Sequence, residues 1–566
     1  MKHFYAVLLS SFLLLGTKAP LRAQTWQWLA TSTGSATSTG SSNATATAAD
    51  GAGNTVVAGT FNGTVTFGAT TLTSAGGNDI FVGRVSASGA WTQAVRAGSP
   101  GSESAKALAV DNGGNVVVTG TFSGATIAFD GFTLTNATTG GTSNDQDIFV
   151  ARLSPAGSWT QAVRAGGNKG DFVAGIALDA AGTATIAGAF GSVSLAFGTT
   201  TLLNSDNTGV TYDTYVARLS SAGAWTQAVQ AGSATGYEQP QALAQDLAGN
   251  VYLTGIFNGT TFPLGTIVLA NADASGNTSD AFVARLSSTG TWTQAVRAGV
   301  SGVHEQPNAI ALDGSGRVVV TGLYLGGATS FGPNTLPAPP GGFSPVFVAR
   351  LSTAGVWTQA VSGGSNTGNN FANALAVDAS GNATVAGQLS GSTAQFGPIV
   401  VNSFNMGVHL FVARLSTAGT WTAALRAGSS GVDNASALFL NGSTATVVGQ
   451  LNTPSATFGF NSLTTTATVA TGYVARLTGL VSGTLPAQAT AALTLLPNPT
   501  RGALTLHGLT PDHDERALLV TDGLGREVRR LTLPARATAA QLDLTGLTPG
   551  LYVVRCGAAS GKVMVE

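Results

Sequence analysis

Short apolar runs separated by turn residues fill most of the chain. The runs 107–111 (ALAVD) and 115–122 (NVVVTGTF) are joined by an Asn-Gly-Gly turn, and 147–154 (DIFVARLS) and 158–166 (SWTQAVRAG) form a similar pair. Two β-rich runs joined by such a turn predict a β-hairpin. Val, Phe, Thr and Trp favour strands, while the 76 glycines among 566 residues disfavour helices. The pattern predicts an all-β protein.

Three sequence markers each occur seven times or nearly so between residues 25 and 477. A tryptophan recurs every 64 to 68 residues, at Trp26, Trp91, Trp159, Trp225, Trp292, Trp357 and Trp421. The turn D-x-x-G recurs at Asp50, Asp111, Asp179, Asp246, Asp313 and Asp378, and the seventh unit has Asn441-Gly442 instead. The run [FY]-V-[AG]-R ends at Arg84, Arg152, Arg218, Arg285, Arg350, Arg414 and Arg476. The chain therefore contains seven repeats.

Each repeat has four predicted strands and an additional hairpin with the signature F-x-G…F-G. Four strands per repeat are what a β-propeller blade needs, because a blade buries its two faces only against neighbouring blades. The last repeat lacks its tryptophan strand, and an unpaired tryptophan strand at Thr25–Leu29 precedes the first repeat. We therefore expect a seven-bladed β-propeller over 25–477, with the N-terminal strand completing the last blade.

The repeat resembles the bacterial SBBP β-propeller repeat. The family pattern, A-[IL]-A-V-D-x-x-G-N-V-Y-V-T-G followed by D-x-F-V-A-[KR]-L and a tryptophan strand, is matched by residues 373–387 (NALAVDASGNATVAG) and 280–286 (DAFVARL). The resemblance covers about residues 25–477. It implies a propeller fold and an extracellular location, and it implies no activity.

The N-terminal residues predict export. Residues 6–16 (AVLLSSFLLLG) are an apolar run that follows Lys2, and Ala23 offers a cleavage position, so 1–23 are predicted to be a signal peptide. The alternative, a membrane anchor, needs about 18 apolar residues, and Lys18 and Arg22 interrupt the run too early. No later segment predicts a transmembrane helix.

Composition excludes several classes of partner and site. A net charge of −1 argues against a nucleic-acid partner. A single cysteine, Cys556, excludes a disulfide framework and is expected to pack within a strand. Charged residues make up only 9% of the chain. We expect no cofactor and no metal.

A second domain is predicted after a linker at 478–492. Over 493–566 the tryptophan period stops, and short alternating runs predict a small Ig-like β-sandwich of about seven strands. Its landmarks resemble the type A sorting domain of the type IX secretion system of Bacteroidetes: P-N-P-x-x-G, D-x-x-G-R-x-V, L-x-G-L-x-P-G-x-Y and a final strand with lysine. The matching residues are Pro497, Asn498, Pro499, Gly502, Asp522, Gly525, Arg526, Gly546, Pro549, Gly550, Tyr552 and Lys562. The resemblance implies that the type IX secretion machinery is a partner.

The D-x-x-G aspartates and the repeated arginines have structural explanations. An aspartate accepts hydrogen bonds from amides two residues further on and so fixes a turn, and one carboxylate per loop is too few for calcium. The arginines are expected to make contacts between blades. His304-Glu305 and His409 have no nucleophile motif or metal triad near them in sequence, and His409 occupies a position that is aspartate elsewhere, interpreted as a polar turn edge. No residue is predicted to be catalytic.

A set of mostly acidic residues lies eight positions before the D-x-x-G turns. Its members are Ser42, Glu103, Asp171, Glu238, Glu305, Asn370 and Asp433. They are expected to lie in the loop that enters the first strand of each repeat, so in a propeller they would surround one mouth of the central channel. The carboxylates either cap backbone amides of the blades or form a ligand-facing rim, assisted by Lys106, Tyr237, Gln239, Gln306 and Phe371.

Two functions remain open from the sequence. The favoured one is a secreted or cell-surface propeller that binds a glycan or protein ligand without catalysis, with the rim Glu103, Asp171, Glu238, Glu305 and Asp433 facing the ligand. The alternative is a secreted lyase or hydrolase that acts on polysaccharide. An enzyme needs a few unlike polar residues at one mouth, whereas this rim is nearly repeated.

Overall fold

The computed structural model describes residues 24–34, 40–138, 145–402, 407–452, 455–459, 461–464, 470–479, 493–507, 509, 516–522, 527–535, 537–556 and 559–566. The predicted signal peptide and nearly all of the predicted linker lie outside these residues. The chain divides into two compact units, Gln24–Ser482 and a second that contains Gly483–Glu566. Within the described ranges, the only helical element is a 3₁₀ turn at Pro340–Gly342, and no helix is long and apolar enough to cross a membrane.

Strands of the first unit follow the repeats, with six in each of repeats one to six and five in repeat seven. The N-terminal strands are β1 (Thr25–Thr31) and β2 (Thr33–Gly34). Repeat one contains β3 (Ser42–Ala49), β4 (Thr55–Phe61), β5 (Thr64–Phe67), β6 (Thr70–Thr73), β7 (Asp79–Val85) and β8 (Trp91–Ala97). Repeat two contains β9 (Glu103–Val110), β10 (Val116–Phe122), β11 (Thr126–Phe129), β12 (Phe132–Thr135), β13 (Asp147–Leu153) and β14 (Trp159–Ala165). Repeat three contains β15 (Asp171–Leu178), β16 (Ala184–Phe190), β17 (Ser194–Phe197), β18 (Thr200–Leu203), β19 (Asp213–Leu219) and β20 (Trp225–Ala231).

The remaining repeats have the same order of strands. Repeat four contains β21 (Glu238–Gln245), β22 (Val251–Phe257), β23 (Thr261–Leu264), β24 (Ile267–Ala270), β25 (Asp280–Leu286) and β26 (Trp292–Ala298). Repeat five contains β27 (His304–Leu312), β28 (Val318–Leu325), β29 (Thr329–Phe331), β30 (Asn334–Leu336), β31 (Val346–Leu351) and β32 (Trp357–Ser365). Repeat six contains β33 (Asn370–Val377), β34 (Ala383–Leu389), β35 (Thr393–Phe396), β36 (Ile399–Asn402), β37 (His409–Leu415) and β38 (Trp421–Ser429). Repeat seven contains β39 (Asn434–Asn441), β40 (Thr444–Leu451), β41 (Ser455–Phe458), β42 (Asn461–Thr464) and β43 (Thr471–Thr478).

Each of repeats one to six contributes four strands to an antiparallel sheet, and in every repeat the two strands between the second and third sheet strands form a hairpin. The hairpins of repeats six and seven also pair with the fourth strand of the preceding repeat, β35 with β32 and β41 with β38. In repeat one, for example, the sheet order is β3-β4-β7-β8, and β5 and β6 form the hairpin. Repeat seven has only three sheet strands of its own, and β1 pairs with β43 from Thr25 opposite Thr478 to Thr31 opposite Tyr473. The N-terminal strand therefore supplies the fourth strand of the seventh sheet.

Equivalent backbone hydrogen bonds connect successive repeats. In each one, the amide at the beginning of a first strand donates to a carbonyl just before the third strand of the preceding repeat. Glu103 N, for example, donates to Asn78 O at 2.7 Å. The same bond joins Ser42 N of repeat one to Ala470 O of repeat seven at 3.1 Å. The first strands also contact one another in sequence, from β3 through β39, and β39 contacts β3.

The repeated tryptophan packs against the hairpin of its own repeat and bonds to the preceding one. The Trp159 ring meets Phe129 edge-on at 4.9 Å, and its Nε1 donates to Arg96 O of the preceding repeat. Trp26 takes the same place in repeat seven, where its ring lies 5.0 Å from Phe458. The indole N–H of Trp225 has no hydrogen-bond partner among the described residues.

The repeated Asp, Arg and Gln residues form contacts at the turns. Asp50 Oδ1 accepts the amide hydrogens of Ala52 and Asn54, as expected for a turn-fixing aspartate. Arg152 Nη2 donates to Gly182 O of the next repeat at 2.6 Å, and Arg152 Nε donates to Gln161 Oε1. Arg84, Arg218 and Arg350 likewise donate to a carbonyl of the next repeat, so these four arginines connect neighbouring repeats, each with the glutamine of its W-T-Q segment orienting the guanidinium. Arg414 instead pairs with Asp378 of its own repeat.

The second unit consists of seven strands in two sheets that share one buried core. Its strands are β44 (Thr494–Leu496), β45 (Ala503–His507), β46 (Arg516–Thr521), β47 (Glu527–Leu533), β48 (Ala539–Asp543), β49 (Gly550–Cys556) and β50 (Ala559–Val565). One sheet has the order β44-β45-β48 and the other β47-β46-β49-β50. Cys556 is buried in β49, which confirms the expectation from the sequence.

Candidate binding site at the ends of the first strands

The predicted rim positions all lie where the first strands of the repeats begin. Six of them are within or at the start of a first strand, and Asp433 immediately precedes β39. Their amides make the equivalent bonds between repeats, so the seven residues occupy the same end of seven neighbouring strands.

The five rim carboxylates are buried rather than exposed. Glu103 is 2% exposed, and Asp171, Glu238, Glu305 and Asp433 are 0% exposed. Such side chains do not present a surface to a ligand in the described structure. Their contacts are those of the capping alternative considered from the sequence.

Three of these carboxylates accept hydrogen bonds from a serine four or five residues earlier in the chain. Ser99 donates to Glu103 through Oγ at 2.6 Å and through its amide at 3.1 Å. Ser233 makes the same two bonds to Glu238, at 2.7 and 3.1 Å. Ser429 Oγ donates to Asp433 at 2.6 Å. Each carboxylate thereby fixes the loop that leads into its strand.

The other two accept hydrogen bonds from the turn or strand that begins the hairpin of their own repeat. Ser192 Oγ donates to Asp171 at 3.0 Å, and Thr329 Oγ1 donates to Glu305 at 2.5 Å. In repeat six the position is Asn370, whose Nδ2 donates to three backbone carbonyls. A neutral side chain therefore satisfies the same position.

A second group of buried acids, at the start of the third strands, was not part of the predicted site. Its members Asp79, Asp147, Asp213 and Asp280 are 0% exposed. The guanidinium groups of Arg96, Arg164 and Arg297 pair with the first, second and fourth of them at 2.6 to 2.9 Å. In repeat six the position is His409, which begins β37 at the edge of a loop and is 1% exposed, so this polar position is buried.

Burial of the two groups of acids favours the neutral form of the rim carboxyls. It raises the pKa of Glu103 to about 7 and those of Asp171, Glu238 and Glu305 to about 8, and the nearby third-strand aspartates contribute in the same direction. Burial also raises the pKa of Asp213 to about 6. A proton retained on the rim residue leaves one negative charge per pair instead of two.

The residues that alternate with the rim carboxylates face solvent. Lys106 and Gln306 are exposed, Tyr237 and Phe371 are each 38% exposed, and Gln239 is half-buried. These are the residues that the sequence analysis had named as assisting the rim. Because successive side chains of a strand point to opposite faces, the buried carboxylates and these exposed residues belong to opposite sides of the first strands.

A cavity of about 500 Å³ opens among the exposed side chains of repeats two, three and four. Its walls include Ser104 and Lys106 of β9, Phe172 of β15, and Gln239 and Gln241 of β21. Phe172, 38% exposed, was missed from the sequence. The strand alternation could have found it, since it follows a rim carboxylate directly.

One repeated position explains why the cavity lies among repeats two, three and four. The position lies three residues after the rim residue of each repeat. In three repeats its side chain donates a hydrogen bond to a carbonyl in the first strand of the following repeat: Thr45 to Ala105 O, Asn308 to Ala372 O and Asn373 to Ala435 O. Lys106 and Gln241 hold this position in repeats two and four, and their side chains make no hydrogen bond or ion pair to any described residue. Ala174, at the same position in repeat three, is too small to bridge. The space between these strands is therefore open.

An aromatic row runs outward from the cavity. The ring of Phe172 lies 5.6 Å from that of Tyr212, which lies 5.8 Å from that of Tyr237. Together with the cavity, this row forms a surface of aromatic faces and free amide and ammonium groups. Ligand sites commonly combine these elements. We call the cavity and this row the mouth site.

His304 lies near this end but outside the mouth site. Its Nδ1 accepts a hydrogen bond from Ser279 N at 3.3 Å, and the side chain is exposed. Across the described ranges, no group of three or more His, Cys, Asp and Glu residues is arranged to hold a metal ion.

The P-N-P motif of the predicted sorting domain follows the first strand of the second unit and contacts its last strand. Asn498, between Pro497 and Pro499, hydrogen-bonds to the two residues that flank Val563: its Nδ2 donates to Lys562 O, and its Oδ1 accepts from Met564 N. This pair of bonds fixes the P-N-P turn against the final strand.

The glycine and tyrosine motifs stabilise the turn that leads into β49. Leu544 N donates to Gly502 O, and Gly546 adopts a φ of 83°, which favours glycine. Pro549-Gly550 leads into β49, where the Tyr552 hydroxyl donates to Thr548 O at 2.7 Å. Asp522 directly follows β46, and Gly525 and Arg526 lie outside the described residues.

Comparison with known proteins finds distant structural similarity over most of the chain and a family match over its C-terminal residues. No curated protein matches the sequence. Phage phi92 endosialidase is 10% identical with a TM-score of 0.35, over 95% of this chain and 87% of that one. Trypanosoma rangeli sialidase in complex with sialic acid is 10% identical with a TM-score of 0.30, over 91% and 82%. A Synechocystis apocarotenoid oxygenase mutant is 7% identical with a TM-score of 0.30, over 68% and 71%. Such values assign no activity to this chain.

Residues 494–566 match a family described as the secretion system C-terminal sorting domain. The match covers the strands and landmarks of the second unit. The C-terminal unit of this protein is therefore a type IX secretion sorting domain, and it directs the chain to export.

Proposed function

We propose that this protein is a secreted or cell-surface β-propeller with seven blades that binds its ligand at the mouth site without transforming it. The observation that carries the proposal is the cavity of about 500 Å³ at one end of the first strands. It is lined by an exposed phenylalanine and by the side chains of Ser104, Lys106, Gln239 and Gln241, which bond to no described residue. The type IX secretion machinery delivers the chain through its C-terminal sorting domain, for which we propose an Ig-like sandwich.

The cyclic order of contacts supports a closed propeller. The bond from Ser42 N to Ala470 O is equivalent to those between the other repeats, and Trp91 Nε1 donates to Thr31 O in β1 just as Trp159 donates to the repeat before it. Both bonds join repeat one to repeat seven. A ring closed in this way places the seven first strands around a channel.

The state of the rim carboxylates supports binding over catalysis. A general acid or base must lie within hydrogen-bond reach of the proton that it transfers. Glu238 and Glu305 have no exposed surface and are hydrogen-bonded within the protein. The groups that remain available at the mouth site are amides, hydroxyls, an ammonium and aromatic rings, which bind well. A hydroxyl such as that of Ser104 needs a neighbouring base to act as a nucleophile, and no Asp, Glu or His is among the described residues that line the cavity.

A glycan and protein binding screen on the full chain without its signal sequence tests the proposed site. Phe172→Ala should lose the ligand found for the unaltered chain, because it removes the apolar wall of the cavity. Phe132→Ala is a matched control, since Phe132 is 37% exposed on the hairpin strand β12 and does not line the cavity. Equal binding by both variants would contradict the location, and turnover of any bound polysaccharide would favour the enzyme alternative.

Export is tested separately by removing residues 493–566. The truncated chain should accumulate inside the cell envelope of the native host, because the sorting domain is what the secretion machinery recognises. Surface delivery at the level of the full chain would contradict this part of the proposal.

A further inference from the structure

The mouth site contains one positive charge with no counterion. The chain has only five lysines, and Lys106 lines the cavity. Lys169, from the loop before β15, is already used, since its Nζ donates to the carbonyls of Thr208 and Gly209. Lys106 makes no hydrogen bond or ion pair to a described residue, and no carboxylate is among the described residues that line the cavity.

The walls of the cavity change the pKa of the Lys106 ammonium group. Lys106 is accessible to solvent, and the protein atoms that surround the cavity lower its pKa by partial desolvation. A cation that has lost part of its hydration gains more from an anionic partner than an exposed cation does. The position is also the one that bridges to the next strand in repeats one, five and six. The lysine thus replaces a structural contact with a charge that points into open space.

The other walls fit the rest of a sugar. Phe172 offers an aromatic face for the apolar face of a pyranose ring. Gln239 and Gln241 carry amides that both donate and accept, and Ser104 carries a hydroxyl, which is the complement of a ring with several hydroxyl groups. None of the side chains of Ser104, Gln239 and Gln241 bonds to a described residue. All of these groups surround one cavity.

We propose that the mouth site binds an anionic sugar residue of an extracellular polysaccharide, with its carboxylate or sulfate on Lys106, its ring on Phe172 and its hydroxyls on Gln239 and Gln241. This inference rests on the proposed function and adds the class of ligand. Carboxylated and sulfated sugars share this chemistry, so the test contains an arm for each.

The test measures binding of three defined probes to the full chain by calorimetric titration at low ionic strength. The probes are oligogalacturonate, a chondroitin sulfate oligosaccharide and fully methyl-esterified oligogalacturonate, which keeps the sugar and lacks the charge. We expect one or both charged probes to bind and the ester to bind at least tenfold more weakly. Binding should weaken as salt is added.

Two variants of the cavity and one control distinguish an effect of the Lys106 charge on binding from an effect on folding. Lys106→Met keeps the apolar stem and should weaken the charged probe at least tenfold. Ala174→Glu places a competing carboxylate in the cavity and should do the same. Lys562→Met removes an exposed lysine of the sorting domain and should bind like the unaltered chain. Because Lys106 bonds to no described residue, its variant should unfold at the same temperature as the parent.

The outcomes distinguish the inference from the proposed function. If the charged probe and its ester bind equally and both are lost in Phe172→Ala, the mouth site binds neutral sugars and the anionic inference is wrong. If Lys106→Met binds the charged probe as tightly as the parent, the assignment of the anion to Lys106 is wrong. If no probe binds and the wider screen is also empty, the proposed function fails with it.

Discussion

Replacing Glu238 by Gln should stabilise the repeat unit at alkaline pH and leave its stability unchanged at acidic pH. Burial raises the pKa of Glu238 from 4.5 to about 8. The folded chain therefore keeps a proton that the unfolded chain loses. The stability that depends on this proton is fully present below pH 4.5 and is lost as pH rises to about 8.

The size of the effect follows from that difference. A tenfold change in an ionisation constant corresponds to about 1.4 kcal/mol, so the ionised carboxylate costs the folded state up to roughly 5 kcal/mol above pH 8. Glutamine avoids this cost. Its Oε1 can accept from Ser233 N and its Nε2 can donate to Ser233 Oγ, the two groups that contact Glu238. Asn370 shows that an amide fits this position in repeat six.

Urea denaturation followed by tryptophan fluorescence at pH 4, 7 and 9 measures the effect. All eight tryptophans lie between Trp26 and Trp421, so the signal reports the repeat unit alone. The expected gain is about 2–5 kcal/mol at pH 9 and none at pH 4.

A control of opposite sign comes from the loop 206–211. Hydrogen bonds from Thr208 and Val210 lower the pKa of Asp206 to about 2, so Asp206→Asn should destabilise the unit at pH 7 and 9. This contribution would be lost only as pH falls from 3.8 to about 2. If Glu238→Gln were less stable than the parent at pH 9, the carboxylate would be ionised and favourable, and the reasoning would be refuted.

Three further changes test contacts of the fold. Deleting 25–31 should lower the melting temperature and increase light scattering, because it exposes the edge of the seventh sheet; an unchanged melting curve would contradict this. Trp159→Phe should cost about 1 kcal/mol more than Trp225→Phe in chemical denaturation, since only the Trp159 indole donates a hydrogen bond to a described residue; equal losses would mean that this bond adds nothing. Arg152→Lys should lower the free energy of unfolding by about 1–3 kcal/mol, because it breaks the bond to the next repeat. Arg501→Lys, at a side chain 87% exposed, is the control and should leave the free energy of unfolding unchanged. An equal loss in both variants would mean that the effect of Arg152→Lys does not come from this bond.

The sequence predicted the strands because their signals are local. Asn-Gly and Gly-rich turns, the tryptophan period and the W-T-Q segment each mark one element, and the unpaired tryptophan strand at the N-terminus indicated its partner in the last repeat. The observed pairing of β1 with β43 agrees with that interpretation. The SBBP likeness and the signal peptide stay predictions.

The candidate site was harder to predict because it depends on side-chain direction. The acids were placed in loops, whereas Glu103, Asp171 and Glu238 begin strands with their carboxylates buried. Sequence pattern alone gives little weight to a buried carboxylate, since isolated charges rarely occupy cores. The third-strand aspartates, their arginine partners and the raised pKa values become apparent only when neighbouring repeats are brought together.

The pairing of β1 with β43 has a consequence for the order of folding. It joins Thr25 to Thr478, which are 453 positions apart, and closing so long a loop costs roughly 5 kcal/mol of chain entropy. Every other strand pair in the repeat unit connects residues much closer in the chain. We expect this seam to form last and to open first. Amide hydrogen exchange of β43, compared with the equivalent strand β25, measures the difference, and equal protection would show that the seam is as stable as the rest of the repeat unit.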